Sequence, residues 1–337
     1  MAKPRYVMIG GFLGAGKTTA VLRLAEHLTD QGLRVGLITN DQSHGLVDTA
    51  MLTSHGYAVE EIAGGCFCCR FNSLVEAARR LSEKMQPDVF LAEPVGSCTD
   101  LVATVSYPLR RIYGDDYAIA PLSVMVDPAR AAVVLGIEDG RSFSEKVDYV
   151  YTKQLEEAQA IVVNKCDLLE QDRRRQIVEA MRERFPNKEI FVVSARQRVG
   201  LEQWFAHITS HELVPERAMQ IDYDTYAEGE ALLGWLNATM ELSCPEPFDG
   251  SLVIHGIARV IQKHLISHGV QIAHLKVTLS PQEGADAVAV AVLNLVQNDG
   301  MPEVVQAPAH EQKDGSYNPR EEYKGITEDN GVVYHQD

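Results

Sequence analysis

The chain has 337 residues, 45% of them hydrophobic, and a formal net charge of −16 at pH 7. This length accommodates one large domain and a smaller second one, and the hydrophobic content is ordinary for a folded chain. The negative charge argues against nucleic acid or an anionic membrane as a main partner. Because the sequence shows no signal peptide and no apolar run long enough to span a bilayer, we expect a cytoplasmic protein.

Apolar runs and helical periodicity alternate over the first two-thirds of the chain. The runs predict buried strands at residues 6–10, 34–39, 88–92, 119–126, 160–164 and 190–194. Helices are predicted between them at residues 18–31, 73–85, 145–157, 173–185 and 201–211. Such alternation is typical of an α/β fold whose mostly parallel sheet has helices on both faces and binds ligands at the carboxyl ends of its strands. We expect this domain to occupy residues 1–215.

The first predicted strand leads into a glycine-rich loop, Gly-Phe-Leu-Gly-Ala-Gly-Lys-Thr-Thr at 11–19, which matches the phosphate-loop pattern. The glycines let backbone N–H groups converge on phosphate, and the N-terminus of the next helix adds partial positive charge. Lys17 is predicted to neutralise the β- and γ-phosphates, and the Thr18 hydroxyl to hold Mg²⁺. The predicted nucleotide contacts in this loop are Gly11, Gly14, Ala15, Gly16, Lys17, Thr18 and Thr19.

Three of the six cysteines, Cys66, Cys68 and Cys69, lie within four residues of each other. In a reducing cytoplasm, clustered cysteines indicate metal or redox chemistry more often than a structural disulfide. Thiolates bind Zn²⁺, Cu⁺ and other soft ions in preference to Mg²⁺. The spacing therefore predicts a transition-metal site, with three buried small hydrophobic side chains as the alternative.

The predicted strand at 160–164 ends in an Asn-Lys-x-Asp motif. The Asp167 carboxylate can accept hydrogen bonds from N1–H and the 2-amino group of guanine, whereas adenine would leave it unpaired. A site built on such bonds rejects the wrong partner by roughly 10⁴-fold. We expect Asn164 near the base edge, the Lys165 stem over the ring, and a backbone N–H of Ser194 or Ala195 on the guanine carbonyl. The predicted base is guanine.

Beyond residue 219 the pattern changes. A strand is predicted at 232–242, a helix at 252–268, and two antiparallel strands at 270–279 and 287–296. Together they predict a small α+β domain over residues 220–300. The remaining segment, 301–337, is a polar tail with little periodicity.

These motifs resemble those of the CobW-like family, in the metal-centre-maturation branch of the SIMIBI-class P-loop GTPases. The matching stretches are the phosphate loop, Gly-Gly-Cys-Phe-Cys-Cys at 64–69, Glu-Pro-Val-Gly at 93–96 and Asn-Lys-Cys-Asp at 164–167. The resemblance implies slow, Mg²⁺-dependent hydrolysis of GTP to GDP and phosphate. It also implies delivery of a transition metal, Zn²⁺ first and Co²⁺ or Ni²⁺ as alternatives, to a client metalloprotein.

Four residues carry the catalysis that the resemblance implies: Lys17, Asp41, Glu93 and Gly96. Glu93 is expected to orient Mg²⁺-bound or attacking water, and the Gly96 N–H to sense the γ-phosphate. Relatives commonly have Asn-Glu-Phe-Gly-Glu where this chain has Asn-Asp-Gln-Ser-His at 40–44. Asp41 keeps a carboxylate for Mg²⁺ or the transition metal. His44, at the position of the second glutamate, would favour Zn²⁺, Co²⁺ or Ni²⁺.

Three functions compete. The first is a GTPase metallochaperone, and the second is a GTP-driven activator that remodels a metallo- or corrinoid enzyme without carrying the metal. The third is a small-molecule kinase or ATPase, against which Asp167 counts because such an enzyme needs no guanine contact. The sequence leaves the first two open, and it leaves open a homodimer. Because the cysteine loop lies between Asp41 and Glu93, GTP state and metal affinity are expected to be coupled.

Overall fold

The computed structural model describes residues 3–41, 47–63, 65–67, 70–114, 116–138, 143–214, 219–234, 236, 238–244, 248–280 and 291–306. His44, Cys68, Cys69 and most of the predicted polar tail lie outside these residues. Among the helices of the described part, none is long and apolar enough to cross a membrane.

The larger unit is built on an eight-stranded sheet. Its strands are β1 (Arg5–Gly11), β2 (Val35–Asp41), β3 (Ala58–Ala63), β4 (Val89–Glu93), β5 (Ala118–Ile119), β6 (Ser123–Val126), β7 (Ala160–Val163) and β8 (Glu189–Val192). The order is β3-β2-β4-β1-β6-β7-β8, with β5 beside β1, and the paired strands run parallel. Parallel strands end at the same edge, so the loops after β1, β4, β6, β7 and β8 come together there.

Helices cover both faces of this sheet, as the sequence predicts. They are α1 (Lys17–Asp30), α2 (Val47–Ser54), α3 (Phe71–Met85), α4 (Tyr107–Tyr113), α5 (Pro128–Val134), α6 (Glu145–Glu157), α7 (Gln171–Arg184) and α8 (Leu201–Ser210). Along β1, Tyr6 and Met8 belong to the core under α3, α6 and α7. Val7 and Ile9 belong to the opposite core under α1, α2 and α8. The α/β class is therefore confirmed.

A smaller α+β unit follows, as predicted. In it α10 (Gly250–Ser267) packs on an antiparallel sheet of β9 (Leu275–Leu279), β10 (Ala291–Leu295) and β11 (Glu303–Gln306), in the order β11-β10-β9. Ile254 and Ala258 of α10 meet Ala291 and Leu293 of β10 in a separate core. The Asp249 side chain caps α10 by accepting the Leu252 N–H at 3.0 Å.

The strand predicted at 232–242 is wrong. Residues Tyr223–Leu232 form a helix, α9, and the described residues from 233 to 244 are neither helix nor strand. Asp222 starts α9, because its carboxylate accepts the N–H groups of the first turn. The helix packs on α6 of the larger unit, where the Asp222 N–H donates to the Tyr149 hydroxyl at 2.8 Å. The domain boundaries remain a prediction, but α9 lies with the larger unit.

Candidate nucleotide-binding and metal site

The loop between β1 and α1 has the backbone conformation that its glycines allow. Gly11, Gly14 and Gly16 have φ of +131°, +74° and +91°. A Cβ on Gly11 would lie 2.4 Å from the Met125 carbonyl oxygen, and one on Gly16 would lie 2.3 Å from Nδ2 of Asn164. Both positions require glycine for their conformation and for space. The strand, loop and helix follow one another as predicted, so the N-terminus of α1 opens onto the loop.

Lys17 and Thr18, which the sequence predicts to contact phosphate and Mg²⁺, are buried at the start of α1, each 8% exposed. Lys17 Nζ donates to the Phe12 carbonyl at 3.2 Å. The Thr18 hydroxyl donates to Oε1 of Glu93 at 2.9 Å. The structure therefore joins the phosphate loop to the carboxyl end of β4. A hydroxyl beside a carboxylate provides the oxygen ligands that Mg²⁺ prefers.

The segment after β4 lies directly on the phosphate loop. A Cβ on Gly96 would lie 2.8 Å from Cδ2 and 3.0 Å from the backbone nitrogen of Leu13. From α6, the Gln154 side chain donates to the carbonyl oxygens of Gly96 and Cys98, at 2.9 and 2.8 Å. These bonds hold residues 96–98 against the loop that would carry the phosphates. A contact between the Gly96 N–H and a γ-phosphate remains a prediction.

A buried glutamate holds the far end of the same segment. Glu157 of α6 accepts the Thr99 hydroxyl and the Val102 N–H, both at 3.3 Å. Burial raises the pKa of Glu157 to about 8. The Ser97 hydroxyl donates to Oε1 of Glu230 on α9 at 2.8 Å. Two helices, α6 and α9, thus fix the segment that the sequence predicts to sense the nucleotide.

Asn164 connects two loops of the site. Its Nδ2 donates to the Ala15 carbonyl in the phosphate loop at 2.9 Å. Its Oδ1 accepts the Ala195 N–H at 2.9 Å. The Ala195 N–H, one of the two expected for the guanine carbonyl, is therefore bonded to Asn164 here. The neighbouring Ser194 is fully buried, and its hydroxyl accepts the Gln197 N–H at 3.0 Å.

Lys165 lies beside a carboxylate that the sequence did not single out. It has φ of +56°, and its Nζ pairs with Oδ2 of Asp127 at 2.7 Å. Burial opposes ionisation of Asp127, but Lys165 and the N–H groups of α5 more than offset it and hold the pKa of Asp127 below its usual value. Asp167 follows in a short 3₁₀ helix and is itself exposed. Its contact with guanine remains a prediction.

Arg130 is a residue of the site that sequence reasoning missed. Its guanidinium donates to the Leu13 carbonyl at 3.2 Å and lies over the rings of Phe12 and Phe143, 4.8 and 4.7 Å from their centroids. A signal for it was present: an Asp-Pro pair after β6 is a cap followed by proline at the first helical position. That pattern predicts a helix start at the ligand-binding edge and places Arg130 there.

The cysteine motif follows β3 at the same edge of the sheet. In the sheet register Asp41 at the end of β2 pairs with Ala63 at the end of β3, three residues before Cys66. Asn40 ties the two ends together, because its Nδ2 donates to the Gly65 carbonyl at 2.6 Å. The structure thus brings the backbone of Asp41 near the start of the motif, while the Asp41 side chain lies outside the description.

Cys66 is half-buried, and metal binding through its thiolate requires the reduced form. The next residue, Phe67, is fully buried in the larger core, to which the buried Cys98 also belongs. Burial raises the pKa of the Cys98 thiol, which therefore stays protonated. Within the described residues, no three His, Cys, Asp or Glu side chains are grouped to hold a metal ion. The predicted metal site remains a prediction.

Residues 5–192 match the family model for CobW/HypB/UreG, nucleotide-binding domain. The chain belongs to the CobW/HypB/UreG family. The matched range begins at β1 and ends at β8, and it includes the phosphate loop, the cysteine motif, Glu93 and the Asn-Lys-x-Asp motif. The family resemblance expected from the sequence is therefore confirmed, and the larger unit is a P-loop nucleotide-binding domain of CobW-like type.

Three curated relatives align with parts of this CobW-family chain. Zinc chaperone YeiR of Escherichia coli (strain K12) is 36% identical over 90 residues, 26% of this chain and 27% of YeiR. Zinc chaperone CobW of Sinorhizobium sp is 25% identical over 252 residues, 65% of this chain and 70% of that protein. Zinc-regulated GTPase metalloprotein activator 1 of Dictyostelium discoideum is 26% identical over 196 residues, 49% of this chain and 40% of that protein. The chain thus spans less than half the length of two of these relatives.

Solved structures resemble the CobW-family chain more weakly. HypB from Helicobacter pylori in complex with nickel has a TM-score of 0.47 and 16% identity, over 64% of this chain and 92% of that one. Zn(II)-bound YjiA GTPase from E. coli has a TM-score of 0.43 and 16% identity, over 93% of this chain and 92% of that one. At such scores the similarity supports no functional argument.

Proposed function

We propose that this CobW-family protein binds and slowly hydrolyses GTP, and that it uses this cycle to carry a transition metal to a client metalloprotein. The observation that carries the proposal is the bond between the Thr18 hydroxyl and Glu93, with Lys17 buried beside it. It joins the phosphate loop to a carboxylate suited to orient water. Relatives named zinc chaperones make Zn²⁺ the first expected cargo.

The residues present fit a magnesium–nucleoside triphosphate. The Thr18 hydroxyl and the Glu93 carboxylate are hard oxygen ligands, and Asp41 ends the strand next to β4. When bound, Mg²⁺ would neutralise charge on the β- and γ-phosphates. Lys17 would exchange its bond to the Phe12 carbonyl for one to phosphate.

The roles proposed for the chain's own residues would account for catalysis and for its expected slowness. The Glu93 carboxylate would accept a hydrogen bond from the attacking water and hold it in line, while the Gly96 N–H would contact the γ-phosphate. Arg130, which contacts the phosphate loop, donates to backbone carbonyls. A guanidinium engaged in this way does not act as an arginine finger, so unaided turnover should be slow.

Guanine selection is proposed to rest on Asp167 at the end of β7. The carboxylate would accept N1–H and the 2-amino group, and the Lys165 stem would lie over the ring. The 2.9 Å hydrogen bond from Asn164 to the Ala15 carbonyl supports this assignment, because it holds the Asn-Lys-x-Asp motif beside the phosphate loop. The same chain with a bound adenine nucleotide would leave Asp167 unpaired.

Metal cargo is proposed to bind Cys66, Cys68 and Cys69 in their reduced form, with Asp41 or His44 as a further ligand. One observation supports coupling to the nucleotide: Phe67, inside the motif, is buried in the same core as Cys98, which lies two residues after Gly96. Movement of the segment after β4 upon hydrolysis would therefore move the cysteine loop. Thermodynamic linkage then requires that metal change GTP affinity by the factor by which GTP changes metal affinity.

The test is binding of Zn²⁺ and Co²⁺ to the reduced protein with GTP, GDP or no nucleotide. We expect thiolate-to-Co²⁺ absorption that depends on the nucleotide and disappears in Cys66→Ala/Cys68→Ala/Cys69→Ala. Cys244→Ala, which removes an exposed free thiol, is the matched control and should retain the signal. Tight GTP binding without thiolate-bound metal in any state would instead favour the activator that does not carry metal.

A further inference from the structure

The two units of the chain meet at the phosphate loop. A Cβ on Gly14 would lie 2.5 Å from Cγ1 of Val296 and 3.8 Å from the Ala273 carbonyl oxygen. Val296 directly follows β10, and Ala273 lies two residues before β9. One end of the small sheet therefore lies against the loop expected to bind phosphates. Binding of a nucleotide to this loop does not by itself require contact with the small unit.

Arg130 bonds to both units at this junction. One guanidinium nitrogen donates to the Leu13 carbonyl at 3.2 Å. The other donates to the carbonyls of Ala273 and Val296, at 3.4 and 3.2 Å. The Asp127 carboxylate fixes the start of α5, and hence Arg130, by accepting the first N–H groups of the helix. A single side chain thus links the phosphate loop to the small unit.

The bond to Leu13 also orients the loop. No peptide bond between described residues is cis, and in a planar trans peptide the carbonyl and the following N–H point in opposite directions. When Arg130 holds the Leu13 carbonyl, the Gly14 N–H must therefore point away from Arg130. Asn164 has the same effect two residues later. Its side chain donates to the Ala15 carbonyl, so the Gly16 N–H points away from Asn164. Converging N–H groups are what a phosphate loop offers its ligand.

We propose that Arg130 is a positioning residue that couples docking of the small α+β unit to phosphate binding. The docked unit holds the guanidinium, the guanidinium holds the Leu13 carbonyl, and the Gly14 N–H is thereby presented to phosphate. The inference rests on the proposed function in one respect, that a guanine nucleotide occupies this loop. Because coupling is reciprocal, a bound nucleotide strengthens docking of the small unit.

The experiment measures GDP affinity with a fluorescent GDP analogue, and amide hydrogen exchange in β9 and β10 with and without GDP. We expect Arg130→Met to raise the Kd for GDP about tenfold or more, since a charged hydrogen bond is lost. Arg130→Lys keeps the charge but cannot reach three carbonyls at once, and should recover only part of the affinity. Val296→Ala leaves Arg130 intact and removes the methyl groups that pack against Gly14. It should raise the Kd for GDP by a smaller factor than Arg130→Met does.

GDP should slow exchange in β9 and β10 of the unsubstituted protein and have no such effect in Arg130→Met. The matched control is Arg175→Met, which removes an arginine paired with Asp172 on the exposed face of α7. An unchanged Kd for GDP in Arg130→Met, with a lowered melting temperature, would mean that Arg130 only stabilises the fold and would overturn the inference. Hydrogen exchange in β9 and β10 of the unsubstituted protein that does not change with GDP would also overturn it. Failure of the unsubstituted protein to bind any guanine nucleotide would overturn the proposed function as well.

Discussion

Asn164 is the residue whose loss should damage stability and nucleotide binding together. Its side chain is 3% exposed, and its two bonds, to the Ala15 carbonyl and from the Ala195 N–H, are both 2.9 Å long. Ala15 and Ala195 are each 1% exposed, so Asn164→Ala leaves a buried carbonyl and a buried N–H without partners. Each such group costs about 1–3 kcal/mol. We expect the free energy of unfolding to fall by about 3 kcal/mol, because water entering the vacated space offsets part of the cost.

The assay is urea unfolding followed by circular dichroism, with the Kd for GTP measured on the same preparations. Ser123→Ala is the matched control, since the Ser123 hydroxyl accepts the fully buried Trp204 Nε1–H at 2.9 Å rather than a group of the phosphate loop. Both variants should lose stability, and only Asn164→Ala should raise the Kd for GTP, by about tenfold or more. Equal affinities in the two variants, or a stability loss below about 0.5 kcal/mol in Asn164→Ala, would refute the reasoning.

Two further predictions concern single carboxylates. Asp167→Asn should weaken GTP binding by at least about 100-fold and improve binding of xanthosine triphosphate, whose 2-carbonyl can accept from the new amide, as competition titrations would show. Glu157→Gln should alter the pH dependence of urea unfolding. Because burial raises the pKa of Glu157 to about 8, its folded state retains a proton that the unfolded state releases near its ordinary value. The stability contribution is complete below about pH 4.5 and is lost as pH rises through 8, on the order of 4 kcal/mol in all. Glu157→Gln should lack this fall in the free energy of unfolding with rising pH, and Asp100→Asn is the control for the neighbouring carboxylate. A fall that is unchanged in Glu157→Gln would contradict the assignment to Glu157.

The strands that the sequence predicted in the larger unit were recognised from mainly apolar runs. The run in β3 is broken by Glu60 and Glu61, and that strand was missed. In the structure Glu60 is 9% exposed and is neutralised by Arg80 and Lys84 of α3, at 2.7 and 2.5 Å. A buried glutamate in a strand is acceptable only because those partners lie one helix later in the chain. The apolar pattern of the strand itself contains no trace of them.

The wrong strand at 232–242 has a different cause. Apolar residues such as Leu232, Leu236 and Met240 suggested burial, but they are 58%, 93% and 61% exposed. Apolar residues on a surface are common, because there is not enough polar surface to cover a protein. The stronger local signal was Asp222, whose side chain starts α9 ten residues earlier. A helix that starts at this cap includes Leu232, so a strand cannot begin at that residue.

Within the site, the predictable part is the part that the local chain determines. The phosphate loop needs glycine at Gly11 and Gly16 for backbone conformation and space, and those requirements leave a pattern in the sequence. The bonds of Arg130 to the small unit leave no such pattern in the sequence, because their acceptors lie 143 and 166 residues further along the chain. Contacts of that separation depend on how two units pack, which no local pattern records.

The glycines that make the phosphate loop adaptable also make it costly to order, because glycine loses more conformational freedom on folding than any other residue. The structure offsets this by binding loop carbonyls with side chains from different elements: Phe12 by Lys17 of α1, Leu13 by Arg130 of α5, and Ala15 by Asn164 after β7. Each bond makes the loop geometry depend on where that element lies. A ligand that requires one loop geometry must therefore favour one arrangement of those elements, and through Arg130 that arrangement includes the small unit. On the proposal made above for Arg130, this dependence lets the phosphate loop transmit its occupancy to another part of the chain.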